Sequence, residues 1–271
     1  MASSASILLG LVGNVSLPDG TVVDGTNAAK VLMHDVYWNY PVEESDGIFA
    51  SVASAAFDKI LGGIGDVDVT KLVGAFERGA EEGRLIAWMR NDDEQNAIKE
   101  MGIDASLPDP DDPSADPVAG VYFNNLSFSK LDWYLNADTQ IGQGVKNGDG
   151  TCSYRITVTL TNIMTQEEAG KLPDYVAASA SGAARDDERL YVSLFAPTGG
   201  NISDLTVEGT QFGLGAATWH GIPFYSGTVD LHAGETTTIT YTLTTSAEAG
   251  DKPLALRQTP TCQAARDSAS A

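Results

Sequence analysis

The sequence predicts an α+β protein, with helices on a small antiparallel sheet followed by an immunoglobulin-like β-sandwich. In segments 155–160 and 238–243, branched or aromatic residues alternate with polar residues, mostly threonine. That alternation is typical of a sheet with one buried and one wet face. Before about residue 85, apolar residues instead recur every three or four positions, as on one face of a helix. We therefore expect a helical domain over residues 1–148, a β-sandwich over 149–262 and a disordered tail over 263–271.

Capping residues and helix-stop glycines mark four helices in the first domain. They are predicted at about residues 28–40, 46–61, 69–82 and 93–101. Segment 84–89 is too short and too continuously apolar for another surface helix, so it is predicted to be a buried strand. We expect it to pair with strands at 118–124 and 130–136, which would complete the small sheet of this domain.

The second domain shows evenly spaced strand patterns separated by turn signals such as Asn147-Gly148 and Ala233-Gly234. This spacing is typical of a small antiparallel sandwich. The predicted strands are 154–163, 189–195, 202–208, 215–224, 228–232, 236–245 and 253–258.

The charge of the chain excludes some partners. Lys and Arg total 16 against 37 Asp and Glu, giving a net charge of -21, which repels phosphate backbones and anionic bilayers. Nucleic acid is therefore not an expected partner, and the apolar run at residues 7–12 is too short to span a membrane. No nucleotide-binding loop, HExxH or GxSxG pattern occurs. Enzymes with such local signatures are excluded, but enzymes that assemble a site from distant residues are not.

The two cysteines suggest a disulfide. Cys152 begins a predicted strand and Cys262 follows the last one, so a bond between them would tie the ends of the sandwich together, as in extracytoplasmic proteins. Two unpaired buried thiols are the alternative. No metal site or cofactor is predicted, because two cysteines without a CxxC spacing and three scattered histidines do not form a usual ligand set.

Two groups of side chains are candidate binding residues. Lys130, Asp132 and Tyr134 would share one face of a predicted strand beside Asn124, and this polar face could bind a ligand or be merely solvated. Trp219 and Tyr225, with neighbouring His220 and Phe224, could stack on sugar rings if exposed, although aromatic residues of a small sandwich are more often core. No catalytic residue is assigned.

Several ordered short motifs resemble a known family. Its strongest matches are GVYFN at 120–124 and SKLDWYL at 129–135, and further ones lie at 20–29, 34–37, 81–85, 158–162 and 172–175. On these residues the chain is similar to the carboxy-terminal portion of the domain of unknown function 4012 family, common in actinobacteria. It has a fainter likeness to the LytR-CpsA-Psr glycopolymer ligases. The resemblance implies Asn124, Lys130, Asp132 and Tyr134 as family-defining residues without an assigned role.

The resemblance implies an extracytoplasmic protein of the cell envelope, anchored to the membrane by an upstream part and linked to surface polysaccharide. The expected function is a non-catalytic structural or binding module, whose partner is cell-surface polysaccharide or another envelope protein. One alternative is part of a surface-glycan assembly enzyme whose site needs an amino-terminal half. The other is a carbohydrate-binding sandwich that uses Trp219 and Tyr225.

Overall fold

A computed structural model describes residues 6–7, 9–10, 13–17, 19–63, 69–104, 108–208 and 214–263. The chain forms a helical unit (Met1–Ser106 with Pro173–Val176) and a sheet unit (Leu107–Leu172 with Ala177–Ala271). The predicted boundary at residue 148 is therefore too late, because the strands that follow residue 117 belong to the sheet unit. The predicted tail at 263–271 lies, apart from its first residue, outside the described residues.

The helical unit contains one short hairpin and several helices. Its strands are β1 (Val15–Ser16) and β2 (Val22–Val23). Its helical segments are α1 (Ala28–Lys30), a π-helix (Val31–Asp35), α2 (Val36–Asn39), α3 (Val42–Gly63), α4 (Val69–Glu81) and α5 (Asp92–Glu100).

The helical unit has its own core, formed by the hairpin, the first helical segments and the start of α3. The buried side chains are Leu9, Val15, Leu17, Val23, Ala28, Val31, Leu32, Val36, Ile48 and Val52. Ala28, Leu32 and Val36 recur every four residues, as the apolar periodicity of this part of the sequence predicts for one helix face, and all three are buried. Phe57, Val73 and Phe76 belong to the same kind of pattern in α3 and α4, but they are exposed.

Segment 84–89 is irregular, not the predicted buried strand. One backbone hydrogen bond joins Ala87 N to Ile103 O, and both Ile86 and Trp88 are largely exposed. A continuous apolar run fits a strand only where both faces are covered, and here they are not. The small sheet predicted for the first domain is therefore absent from the described part of the helical unit, which pairs β1 with β2 instead.

The sheet unit contains two five-stranded sheets. The strands are β3 (Val118–Asn125), β4 (Leu135–Ile141), β5 (Val145–Lys146), β6 (Cys152–Asn162), β7 (Glu188–Phe195), β8 (Asn201–Glu208), β9 (Gly215–Trp219), β10 (Ile222–Leu231), β11 (Thr236–Thr244) and β12 (Ala255–Gln258). The first sheet has the order β12-β3-β7-β10-β9, and the second has β4-β6-β11-β8 with β5 beside β6. A 3₁₀-helix (Leu131–Tyr134) and a short helix α6 (Gln166–Ala169) lie between strands.

Both sheets contribute side chains to one core. On β6, Ile156, Val158 and Leu160 have no exposed surface, while the threonines between them are half-exposed. On β7, Leu190, Val192 and Leu194 alternate in the same way and belong to the same cluster. The predicted two-faced strands are therefore confirmed. The protein is an α+β protein with a helical unit and a sheet-rich unit.

Two local predictions in the sheet unit are wrong. Residues 131–134 form a 3₁₀-helix, in which side chains three apart point the same way, so Tyr134 is buried together with Leu131. Segment 215–224 is not one strand, because His220 and Gly221 both have positive φ. Two such residues form the tight turn of a two-residue hairpin, and β9 and β10 pair across it.

The predicted disulfide between Cys152 and Cys262 is not formed. Cys152 begins β6, whereas Gln263, next to Cys262, donates to the backbone oxygen of Trp133. Trp133 lies just before Leu135, whose partner Asn162 is the last residue of β6. At about 3.3 Å per residue, the two ends of this strand are roughly 30 Å apart, far beyond the reach of a disulfide.

Among the described residues, no helix combines the length and the apolar character needed to cross a bilayer.

The register of β6 predicts that substitutions at two neighbouring residues change the free energy of unfolding by very different amounts. Leu160→Ala should lower the free energy of unfolding by about 2–5 kcal/mol, because it leaves a cavity between the sheets. Thr159→Ala, on the outer face, should change it by less than about 0.5 kcal/mol. Urea unfolding followed by intrinsic fluorescence measures both, and equal losses would contradict the register.

The distance between the cysteines predicts that no disulfide joins Cys152 to Cys262 in the protein isolated without reductant. Denaturing the protein and titrating it with a thiol reagent should find two thiols per chain, and prior reduction should not change the number. Finding none before reduction and two afterwards would contradict the strand order given above.

Candidate functional site

The outer face of the first sheet carries a group of aromatic side chains, which we call the aromatic face. Its members are Tyr122 on β3, Tyr191 and Phe195 on β7, Trp219 on β9 and Phe224 on β10. Residues paired directly across antiparallel strands point to the same side. The pairs Gly120–Phe195, Phe195–Phe224, Phe224–Ala217 and Trp219–Ile222 place the group on one side of the sheet.

Three rings of the aromatic face contact one another, and the other two are exposed to solvent. Phe195 and Phe224 stack with centroids 4.7 Å apart, and Tyr122 meets Phe195 edge-on at 5.7 Å. Tyr191 and Trp219 are 40% and 43% exposed. The Tyr191 hydroxyl forms a 2.8 Å hydrogen bond with the Ser226 hydroxyl. The surface thus combines ring faces and edges with hydroxyl groups.

Gly120 is the residue that lets Tyr122 lie against the sheet. A Cβ at this position would be 2.8 Å from Cε2 of Tyr122 and 3.0 Å from Cβ of Phe195. Any side chain here would therefore push the Tyr122 ring outward. Burial raises the pKa of Tyr122, and the positive charge of Arg257 partly offsets that rise. Arg257 pairs with Gly120 across β12 and β3. The polar head of Arg257 thus borders the aromatic face.

The structure separates the two aromatic residues that the sequence suggested. Trp219 lies on the aromatic face, whereas Tyr225 pairs with Ala216 on the opposite side of the sheet and packs against the core. They cannot contact one ligand on a common surface. Sequence reasoning missed Tyr122, Tyr191 and Phe195. The signal was present in 189–195, where strand alternation puts Tyr191 and Phe195 opposite the apolar positions.

The four residues implied by the family resemblance do not form one surface either. Asn124 is exposed on the aromatic face, opposite Tyr191. Asp132 lies in the 3₁₀-helix and accepts a hydrogen bond from Asn125 Nδ2 at 3.1 Å. Tyr134 is buried and Lys130 half-buried. Because the segment is a 3₁₀-helix, the shared strand face expected for Lys130, Asp132 and Tyr134 does not exist.

Glu188, the first residue of β7, is a buried carboxylic acid. It points into the core with Leu190, has no exposed surface, and neither oxygen has a hydrogen-bond partner among the described residues. Burial raises the pKa of Glu188 well above 4.5, and the nearby Asp132 carboxylate raises it further. At neutral pH this group is therefore held in an environment that favours its uncharged form.

Asp186, Asp187 and His232 lie beside the start of β7 and the end of β10. Each offers one ligand atom, and these atoms all lie within 4.8 Å of one another. Asp187 is 3% exposed, and its Oδ1 forms a close ion-pair contact with Nδ1 of His232. His232 follows Leu231, the partner of Glu188, so the antiparallel register of β7 and β10 brings this trio together. Among the residues that the structure describes, this trio has the geometry to hold a metal ion.

The helical unit contains a histidine–carboxylate pair that is already engaged. His34 Nδ1 lies 2.8 Å from Asp35 Oδ1, which also accepts from Lys30 Nζ at 2.6 Å. The His34 ring stacks on Trp38 with centroids 5.5 Å apart. The π-helix contains both His34 and Asp35, so their interaction is between neighbours in sequence.

A cleft of about 670 Å³ in the same unit has Asp24 among its lining residues. The carboxylate of Asp24 accepts hydrogen bonds from the backbone N–H groups of Thr26 and Asn27.

Comparison with known proteins finds little. No family model matches the chain, and no curated protein matches it. A solved structure from Legionella pneumophila, named a "putative nutrient binding protein", is similar over 49% of this chain, with 10% identity and a TM-score of 0.26. The match spans 45% of that protein.

The environment of Glu188 predicts a pH-dependent stability. The unfolded chain releases this proton near pH 4.5 while the folded chain keeps it, so stability should fall as pH rises from 4.5 towards the raised pKa. The loss is at most about 1.4 kcal/mol per pH unit. Glu188→Gln, which carries no charge at any of these pH values, should remove this slope and be more stable than the parent at pH 8.

Urea unfolding at a series of pH values, with a chelator present, measures this slope. Glu208→Gln is the control, because Glu208 is exposed and its replacement should leave the slope unchanged. Equal slopes for the parent and Glu188→Gln would show that Glu188 does not hold its proton in the folded state.

Proposed function

We propose that this chain is a non-catalytic module of the extracytoplasmic cell envelope that binds a neutral surface polysaccharide on its aromatic face. The observation that carries the proposal is a set of aromatic rings on the outer side of a sheet whose inner side is already the core. Folding needs one apolar face on each sheet. A second one, with Trp219 and Tyr191 open to solvent, is better explained by a ligand.

The chemistry of the aromatic face fits a sugar ring. Aromatic rings present flat apolar surfaces to the C–H groups of a pyranose, while hydroxyl and amide groups at the border hydrogen-bond its hydroxyls. Here Asn124 and the hydroxyls of Tyr191 and Ser226 supply those polar groups. The net charge of -21 favours a neutral glycan, since an acidic polysaccharide would be repelled.

An immunoglobulin-like β-sandwich is part of the proposal. The two sheets share one core, and the chain passes from β6 in the second sheet to β7 in the first and back to β8 in the second. Connections of this kind occur in Greek-key sandwiches, which serve as binding modules on many cell surfaces. The resemblance to the family of unknown function 4012 supports the envelope location and the association with surface polysaccharide.

The alternative of a glycan-assembly enzyme has weaker support. The ligases that the chain faintly resembles use arginines near the first helices, where this chain offers only Lys30 and Lys59 as basic residues, and both are engaged. Lys30 pairs with Asp35, and Lys59 Nζ donates to the backbone oxygen of Asn14 at 2.6 Å. A pyrophosphate-linked substrate would have to displace these interactions.

The proposal predicts that Trp219→Ala and Tyr191→Ala each weaken glycan binding by about three- to tenfold, the value of one aromatic contact. A glycan array first identifies a neutral oligosaccharide, and calorimetry with that oligosaccharide then measures the affinity. Trp88→Ala is the matched control, because Trp88 is 72% exposed but lies in the helical unit.

Equal losses for Trp219→Ala and Trp88→Ala, or no binding of any neutral glycan by the parent protein, would refute the proposal. Binding that survives both substitutions on the aromatic face would place the glycan elsewhere and would refute this site.

A further inference from the structure

We propose that Asp186, Asp187 and His232 form a binding site for a divalent transition-metal ion, with Zn²⁺ as the first candidate. The inference is independent of glycan binding, since no residue of the trio belongs to the aromatic face. It rests on three ligand atoms within 4.8 Å of one another and on the buried Oδ1 of Asp187.

Asp187 is the central observation. Its carboxylate is nearly inaccessible to water, with the side chain 4% exposed. Oδ2 accepts a hydrogen bond from Ala184 N at 2.5 Å, which fixes the group, and the partner of Oδ1 among the described residues is Nδ1 of His232. A buried carboxylate is costly unless a cation compensates its charge. A cation bound between Oδ1 and the adjacent Nδ1 of His232 would remove that cost.

Hydrogen bonds hold the backbone around the other two ligands in place. Asp186 accepts from Ala233 N through Oδ2 and from Asn162 Nδ2 through its backbone oxygen, both at 3.0 Å. His232 N donates to Glu235 Oε2 at 2.9 Å. Asn162 itself is fully buried and also donates to Leu231 O. The ligands therefore project from a frame that is ordered before any ion binds, as an efficient metal site requires.

The ligand set selects the kind of metal. One imidazole nitrogen and two carboxylate oxygens suit Zn²⁺ and its first-row neighbours, whereas Ca²⁺ and Mg²⁺ prefer oxygen ligands alone. Bonds of about 2 Å place two ligands of one ion at most about 4 Å apart. The side chain of His232 is half-exposed, so a small rotation of its ring can separate Nδ1 from Oδ1 of Asp187 and admit the ion. Three protein ligands leave room for water or for a group from a partner.

The side chains near the three ligands carry charges of both signs. The carboxylate of Asp132 lies close to Glu188, the residue that follows Asp187, and adds a negative charge. The guanidinium of Arg189 is near Asp187 but is engaged with Asp230, with Nε 2.6 Å from Oδ1. The surroundings therefore keep a net negative character that favours a cation.

Calorimetry of the whole chain with Zn²⁺ alone tests the proposal. The parent protein should bind one ion per chain with saturation, and excess Ca²⁺ should not displace it. His232→Ala should weaken binding by more than about 100-fold, because the loss of a supporting residue alone costs about 10- to 100-fold. Asp187→Asn, which can keep the hydrogen bond from Ala184, should weaken it as well. His220→Ala is the matched control, because His220 is exposed at the distant hairpin turn.

Cobalt offers a second readout, since Co²⁺ bound by nitrogen and oxygen ligands gives visible absorption bands that His232→Ala should remove. Zinc binding of equal strength in the parent and in His232→Ala would overturn the proposal, as would a parent protein that does not bind Zn²⁺ or that loses it to Ca²⁺. Trp219→Ala should bind Zn²⁺ like the parent, so a failure of this site and a failure of glycan binding are distinguishable.

Discussion

The two-residue period of the long strands is the constraint on which the sheet unit depends. Each strand of β6, β7 and β11 has one apolar face, and that face leaves water only if the two sheets cover each other. A register shift of one residue would turn every buried side chain outward. The pairing is therefore fixed by burial along whole strands and not by any single contact, which leaves the outer faces free to vary in composition.

The outer faces of the two sheets differ in composition. The second sheet presents threonines, several of which bridge strands through hydroxyl contacts such as Thr161 with Thr236 at 2.9 Å. This is a well-solvated surface. The first sheet presents aromatic rings around Gly120, whose missing side chain gives Tyr122 its place. Burial of the core does not require these rings, so their position is the strongest sign in the molecule of interaction with a ligand.

Much of the fold could be predicted from sequence where periodicity was long. Strands β6 and β11 and helix α5 lie close to their predicted bounds. Prediction failed at short segments, where burial by distant parts of the chain decides, as at residues 84–89 and 131–134. Little of the candidate sites could be predicted. Asp187 meets His232 only because β7 pairs with β10, and a pairing between distant strands cannot be read from local spacing.

The chain also has an unusual path. Residues Pro173–Val176 belong to the helical unit although the segments on both sides belong to the sheet unit, and the ring of Tyr175 meets that of Tyr37 at 5.9 Å. The polypeptide therefore passes between the units three times. One proteolytic cut near residue 106 would not give two intact fragments, because the sheet fragment would retain a piece of its neighbour.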